Sequence, residues 1–239
     1  LPQTHSPRVA DNAMLFVVIA TSCLAVKGIF VRLALDAGMT VPGVLLLRAL
    51  FATGLFWLVL RWREASKETT FSRRDCWLAL ACGNLFTLAT ALDIYVLSIM
   101  DVGISRAILF TFPLVVQVLG MIHMRRAPEL REIITFVVAY SGILLVVGVI
   151  GPGELKVPVI GVMCCFGSAV SYGCYLYYGR TLSMRLGSSR FTVLSNISTL
   201  LVFLVAAPVF ITEADLQFGA ESLGWIACLV VFSTVIPFV

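Results

Sequence analysis

Eight apolar runs, each close to the length of a membrane crossing, follow one another along the chain at 13–35, 41–60, 76–98, 102–122, 133–150, 157–178, 191–211 and 223–239. A helix needs about 20 mostly apolar residues to cross a hydrocarbon core about 30 Å thick. Lipid accepts only structures that satisfy their own backbone hydrogen bonds. No break between runs could hold a soluble domain; the longest, 61–75, is a short charged hairpin. The expected fold class is therefore an all-α integral membrane protein, with a bundle of about eight transmembrane helices in this chain. Composition agrees: 13% of residues are charged and 60% hydrophobic, against about 25% charged in a soluble domain. A soluble globule, a disordered chain, a disulfide scaffold and a nucleic-acid-binding domain are all excluded.

Lys and Arg collect in cytoplasmic loops, and here they fall on alternate breaks. Arg61, Arg63, Lys67, Arg73 and Arg74 occupy the second, Arg125, Arg126 and Arg131 the fourth, and Arg180, Arg185 and Arg190 the sixth. The odd breaks hold Asp101, then Glu154 with Lys156, then Glu213, Asp215 and Glu221. The expectation is a multi-pass membrane protein with a cytoplasmic tail over 1–12. The first run is too long for a cleavable signal and lacks a small-residue cleavage site. The cysteines mostly lie in apolar stretches without metal-ligand spacing, so they read as small packing residues, with no metal site and no cofactor. The sequon at Asn196 is discarded because it lies inside an apolar run.

Gly151-Pro152-Gly153 breaks the chain after five runs. Sliding the sequence by about 148 residues lays Arg32 on Arg180, Leu46 on Leu194, Trp77 on Trp225 and Ala79 on Ala227. The matching run lengths weigh more than these few identities. A unit with an odd number of spans must re-enter the membrane inverted, an arrangement found in secondary transporters. The expected domains are a first five-helix repeat over 13–150 and a second repeat over 151–239, incomplete at three helices. Beginning at Leu1 rather than Met and stopping inside an apolar run, the chain reads as a fragment.

Several stretches carry a family resemblance. They are Lys27-Gly28-Ile29-Phe30-Val31-Arg32-Leu33-Ala34, Leu46-Leu47-Arg48, Leu92-Asp93-Ile94-Tyr95 and Ser105-Arg106-Ala107-Ile108-Leu109-Phe110, with Pro113 following. The chain resembles the EamA-type domains of the drug/metabolite transporter superfamily over nearly its whole length, most specifically in the first half. The resemblance implies a bacterial inner-membrane permease of ten helices in two inverted five-helix repeats, moving amino acids, metabolites, nucleotide-like solutes or drugs. The smallest members of the superfamily use a glutamate in the first span. No acid occurs between 13 and 35 here, so that proton-coupling chemistry does not transfer.

Charges at membrane depth are costly and usually face a bundle interior or wet cavity. At about 1.5 Å per residue, Lys27 lies roughly 21 Å from the cytoplasmic edge and Arg48 roughly 10 Å below the outer edge. Asp93 and Arg106 come out together, roughly 25 Å up. This sorting pairs Asp93 with Arg106 as an ion pair or gate, and leaves Lys27 and Arg48 uncompensated. Those two, with Tyr172 and Tyr175 of the sixth run, are the substrate-binding candidates, with an anionic or zwitterionic small molecule as the expected guest. Snorkelling to the interface is the plain alternative for both, and a structural staple the plain alternative for Asp93 and Arg106. Tyr172, Tyr175 and Tyr178 form a stripe with Gly167, Ser168 and Ser171 that lines a cavity or serves as packing. Pro113 and Pro208 lie inside runs, where proline bends a helix.

The leading function is a secondary permease working by alternating access. Its partners are a small-molecule substrate and the lipid bilayer, with no nucleic acid and with a homodimer left open. A multi-span receptor or sensor would need a signalling segment, and none is visible. An intramembrane enzyme would need paired acids or a histidine cluster at depth, whereas Asp93 is the one clear acid there and His5 and His123 lie in the tail and at a span end. No catalytic residue is assigned.

Overall fold

The computed structural model describes residues 26–64, 72–147, 158–212, 215 and 218–232. The expectations for the tail, for the first half of the first run and for the Gly151-Pro152-Gly153 joint lie outside these residues. The described chain is an all-helical membrane bundle. It comprises α1 (26–36), α2 (Val41–Glu64), α3 (Arg73–Ile99), α4 (Val102–Leu109), α5 (Phe112–Met124), α6 (Leu130–Val147), α7 (Val159–Leu186), α8 (Ser188–Phe210) and α9 (Ala220–Val230). Among the described residues, five spans are long and apolar enough to cross a membrane: α2, α3, α4 with α5, α7 and α8.

Side chains turned away from the bundle are apolar, among them Val138, Val205 and Val209. A soluble monomer rarely exposes such continuous patches, but lipid covers them well. Trp62 and Trp77 are largely exposed near one end of the bundle, and Arg61 lies over the Trp57 ring at 5.4 Å there. Aromatic rings at that level suit a membrane interface.

Helices run past their apolar cores into that interface. At 28 residues, α7 is about 42 Å long, well beyond a core of about 30 Å. The sixth break, read from sequence as a loop, is therefore one residue. Gly187, at φ +85°, joins α7 directly to α8, and Arg180, Arg185 and Arg190 sit on helices. The fourth run is two helices rather than one. A break at Phe110-Thr111 separates α4 from α5, and Pro113 lies in the first turn of α5, where its missing N–H costs nothing. Asp101 caps α4 through Gly103 N at 2.7 Å.

Turns segregate to two ends. At one end Gly43 lies against Asp215 and Phe218, and Gly161 against Met100. At the other, Arg185 of α7 reaches Asp75 of α3 at 3.6 Å. Between the ends, α2 and α3 each pack more on α8 than on one another, and α3 packs most heavily on α7. Small residues allow this closeness. A Cβ at Gly83 would meet Ser195 Cα and O at 2.9 Å, and one at Gly173 would meet Val115 Cβ at 2.7 Å. Hydroxyls then stitch α3 to α8: Thr87 Oγ1 and Thr199 Oγ1 are 2.9 Å apart, and Ser198 Oγ donates to Asn84 Oδ1 at 2.7 Å. Asn84 and Thr87, three residues apart, lie on one face of α3.

Candidate functional site

Four charged side chains converge where α1, α2, α3 and α4 meet. Asp93 sits on the buried face of α3, its side chain only 3% exposed. Its Oδ1 accepts from Arg106 Nη2 at 2.7 Å, and its Oδ2 accepts from Lys27 Nζ at 2.8 Å and from Arg106 Nη1 at 3.5 Å. Arg106, on α4, thus holds both carboxylate oxygens, while Lys27 comes in from α1. The carboxylate ties three helices together. Charge-assisted bonds of this kind are roughly twice as strong as neutral ones.

Gly28 makes the junction possible. A Cβ there would lie 3.1 Å from Arg106 Nε and 3.0 Å from Val102 Cγ1. The Lys27-Gly28 pair thus has a physical reading: lysine supplies the ammonium, and glycine clears the α1 backbone for the guanidinium beside it.

The expectation that Lys27 remains uncompensated beside Arg48 is overturned, because Lys27 is bound to Asp93. Depth counted from the edges of apolar runs sets the Asp93 and Lys27 backbones only roughly 4 Å apart along the membrane normal, which is within reach of a side chain. A lysine stem also spans several ångströms along the membrane normal, so Cα depth is a poor guide to where the ammonium sits.

Arg48 stands apart from this triad. On α2 it is 5% exposed and flanked by buried Leu47, Ala49 and Ala52. Among the described residues it makes no ion pair and no hydrogen bond, and its Nε is enclosed without a partner. Its guanidinium lies over the Phe86 ring, 5.6 Å from Cζ to centroid. Asp93 and Tyr172 lie within electrostatic range of it, though not in contact.

The aromatic stripe divides. Tyr178 is exposed and Tyr175 is buried. Tyr175 is packed between Phe86 at 5.0 Å and Phe191 at 5.6 Å, with Tyr172 at 6.2 Å. Tyr172 is half-buried against Phe112 at 5.0 Å. Phe86 therefore bridges Arg48 to the tyrosines of α7. Sequence reasoning missed Phe86, since a phenylalanine in an apolar run carries no distinguishing signal. It also missed the role of Gly28, although the Lys-Gly pair was in view. Ser168, one of the stripe's small members, donates to Ala89 O at 2.8 Å and so joins α7 to α3. No group of His, Cys, Asp and Glu side chains fit to hold a metal ion occurs among the described residues.

Comparison with known proteins follows the same lines. The profile of the EamA-like transporter family matches residues 11–148. The chain is also similar to the uncharacterized transporter YcbK of Bacillus subtilis (strain 168), with 24% identity over 237 residues, covering 97% of this chain and 76% of that protein.

Proposed function

This chain belongs to the EamA-like transporter family, and from that premise we propose that it is a secondary permease that moves a small solute across the inner membrane by alternating access. The observation that carries the reading is the buried cluster of Lys27, Arg48, Asp93 and Arg106 at membrane depth. Ionisable side chains inside a membrane bundle mark solute or ion pathways by default. Here they lie among helices of the first run of five, with α7 of the following stretch closing over them.

The packing supports two inverted repeats, one over 13–150 and one over 151–239. If α7, α8 and α9 repeat α1, α2 and α3, a pseudo-two-fold axis exchanges the contacts between the halves in pairs. The α2–α8 contact maps onto itself, and α3–α8 maps onto α2–α9. The heavily packed α3–α7 pair maps onto α1–α9, where Phe30 meets Trp225 at 6.4 Å and Phe232 at 6.5 Å. Under the same shift Arg48 falls on Asn196, which is buried in α8 and accepts at its carbonyl from Thr53 of α2 at 3.1 Å. Substrate sites in such carriers lie between the repeats near the midplane.

Arginine and lysine bias puts the Gly187 end of the bundle, and with it the N-terminus, in the cytoplasm. Two measurements test the reading. Vesicles holding the full-length protein are expected to show saturable solute exchange without ATP; absence of any exchange across a broad solute panel overturns it. Single cysteines at Ser66 and Glu213 are expected to label from opposite faces, and labelling from one face would undo both topology and inversion.

A further inference from the structure

Resting on the permease reading, we propose that the carried solute is a net anion, a carboxylate or phosphate bearing no charged amine, and that Arg48 alone grips it. A guanidinium offers five N–H donors in a planar fork. Arg48 uses none of them on a described residue, yet it is buried, with an enclosed and unpartnered Nε. A charge buried without a partner is the expensive arrangement, so this position suits a counter-charge that arrives and leaves. Carboxylates and phosphates match the fork through two parallel hydrogen bonds.

The charges around the position decide against a zwitterion. An ammonium entering the cluster would need a carboxylate, and among the described residues Asp93 is the one acid there. Both its oxygens are already occupied, Oδ1 by Arg106 and Oδ2 by Lys27 with Arg106. Other acids on or capping α1, α3 and α4 are committed elsewhere: Asp36 faces Arg32 at 3.1 Å, Asp75 lies 3.6 Å from Arg185 at one end of the bundle, and Asp101 caps α4. Three cations against one carboxylate leave the region two charges positive, which attracts an anion and repels an ammonium. The nearest aromatic face, that of Phe86, lies under Arg48 itself. Lys27 is thereby removed from the gripping set, and the triad serves to hold Asp93 away from Arg48, so that no internal carboxylate competes with the guest.

Matched pairs test this. Full-length protein in phosphatidylcholine nanodiscs, which supply no anionic lipid, is titrated with pyruvate against alanine, 2-oxoglutarate against glutamate, and glycerol 3-phosphate against glycerol. Thermal unfolding reports binding. At least one anion is expected to bind about tenfold or more tightly than its amine-bearing or neutral partner. Arg48→Gln should abolish that preference, and Arg48→Lys should weaken it about tenfold by losing the fork. Amine-bearing partners binding as tightly, no anion binding, or anion binding that survives in folded Arg48→Gln would each overturn the proposal. Should Arg48→Gln not fold, unchanged affinity in Arg48→Lys overturns it instead. Competition by added phosphatidylglycerol would assign the site to a lipid headgroup and remove the solute. Binding that needs Arg48 without flux in vesicles would break the permease reading and leave the site. Flux indifferent to Arg48→Gln would do the reverse.

Discussion

Asp93 and Arg48 are both buried charged residues, on neighbouring spans of one bundle, and the protein treats them in opposite ways. The carboxylate receives two cations from two other helices, and each of its oxygens has a partner. The guanidinium receives an aromatic face and nothing else among the described residues. A buried charge that is fully paired organises the helices around it. One that is left unpaired weakens the resting protein and becomes useful only when something from outside completes it. On the proposed reading, the pair separates the groups that hold this fold from the group that waits for a ligand.

The sharpest way to break that contrast is Asp93→Ala. It leaves Lys27 and Arg106 buried without a counter-charge, and about 3–5 kcal/mol of stability should go with it. Thermal unfolding and the monodisperse yield in detergent report the loss; a variant as stable as the parent would reduce the triad to decoration. Arg48→Leu should move the other way. Without solute, exchanging an unpaired buried charge for an apolar side chain should leave stability unchanged or raise it by about 1–4 kcal/mol. A large loss of melting temperature in Arg48→Leu would show that Arg48 holds helices together after all.

Gly28→Ala sharpens the comparison further, because it touches the triad without altering any charge. The added methyl would press on Arg106 Nε and Val102, and crowding of this kind costs about 1–3 kcal/mol. Pairing it with Arg106→Lys, a slimmer head group, should recover part of the loss in a double-mutant cycle; strict additivity of the two effects would sever the link between Gly28 and Arg106.

The smallest expected effect lies outside the membrane, in an ion pair of a third kind. Arg126 donates to Glu132 through both guanidinium ends, at 3.0 and 2.6 Å, and the Glu129 N–H donates to the same carboxylate at 3.0 Å. These bonds, Arg126 first, hold the Glu132 carboxyl down at about 2. A depressed carboxyl contributes stability above its ordinary range, near 4.5, and loses it as pH falls towards 2. Because the pair is open to solvent, the loss should be local fraying at the start of α6. A spin label at Thr135→Cys should gain mobility as pH drops from 4.5 to 2, and Glu132→Gln should flatten that response. A flat response in the parent would mean that the pair holds nothing.

The sequence read well wherever the solvent dictates the answer. Lipid demands long apolar runs, so α2, α3 and α8 stand out within a few residues of their ends, and α7 at its start. Helix ends were less legible, because α7 continues through Arg180 and Arg185 on interfacial backbone that no apolar pattern marks. At the site, residue types were legible and partnerships were not. Charged residues in apolar runs announce themselves, which is why Lys27, Arg48, Asp93 and Arg106 were all singled out. Which of them touch depends on helix rotation and on side chains several ångströms long, and depth along the membrane normal carries neither. Phe86 and Tyr175 gain their places only from packing.

Gly187 bears on how the protein is made. One residue with positive φ links the ends of α7 and α8, so the two helices have no slack between them. A pair joined so tightly suits entry into the bilayer as a hairpin, whose backbone hydrogen bonds are already made, and on the proposed topology the arginines near the turn would hold it on the cytoplasmic side.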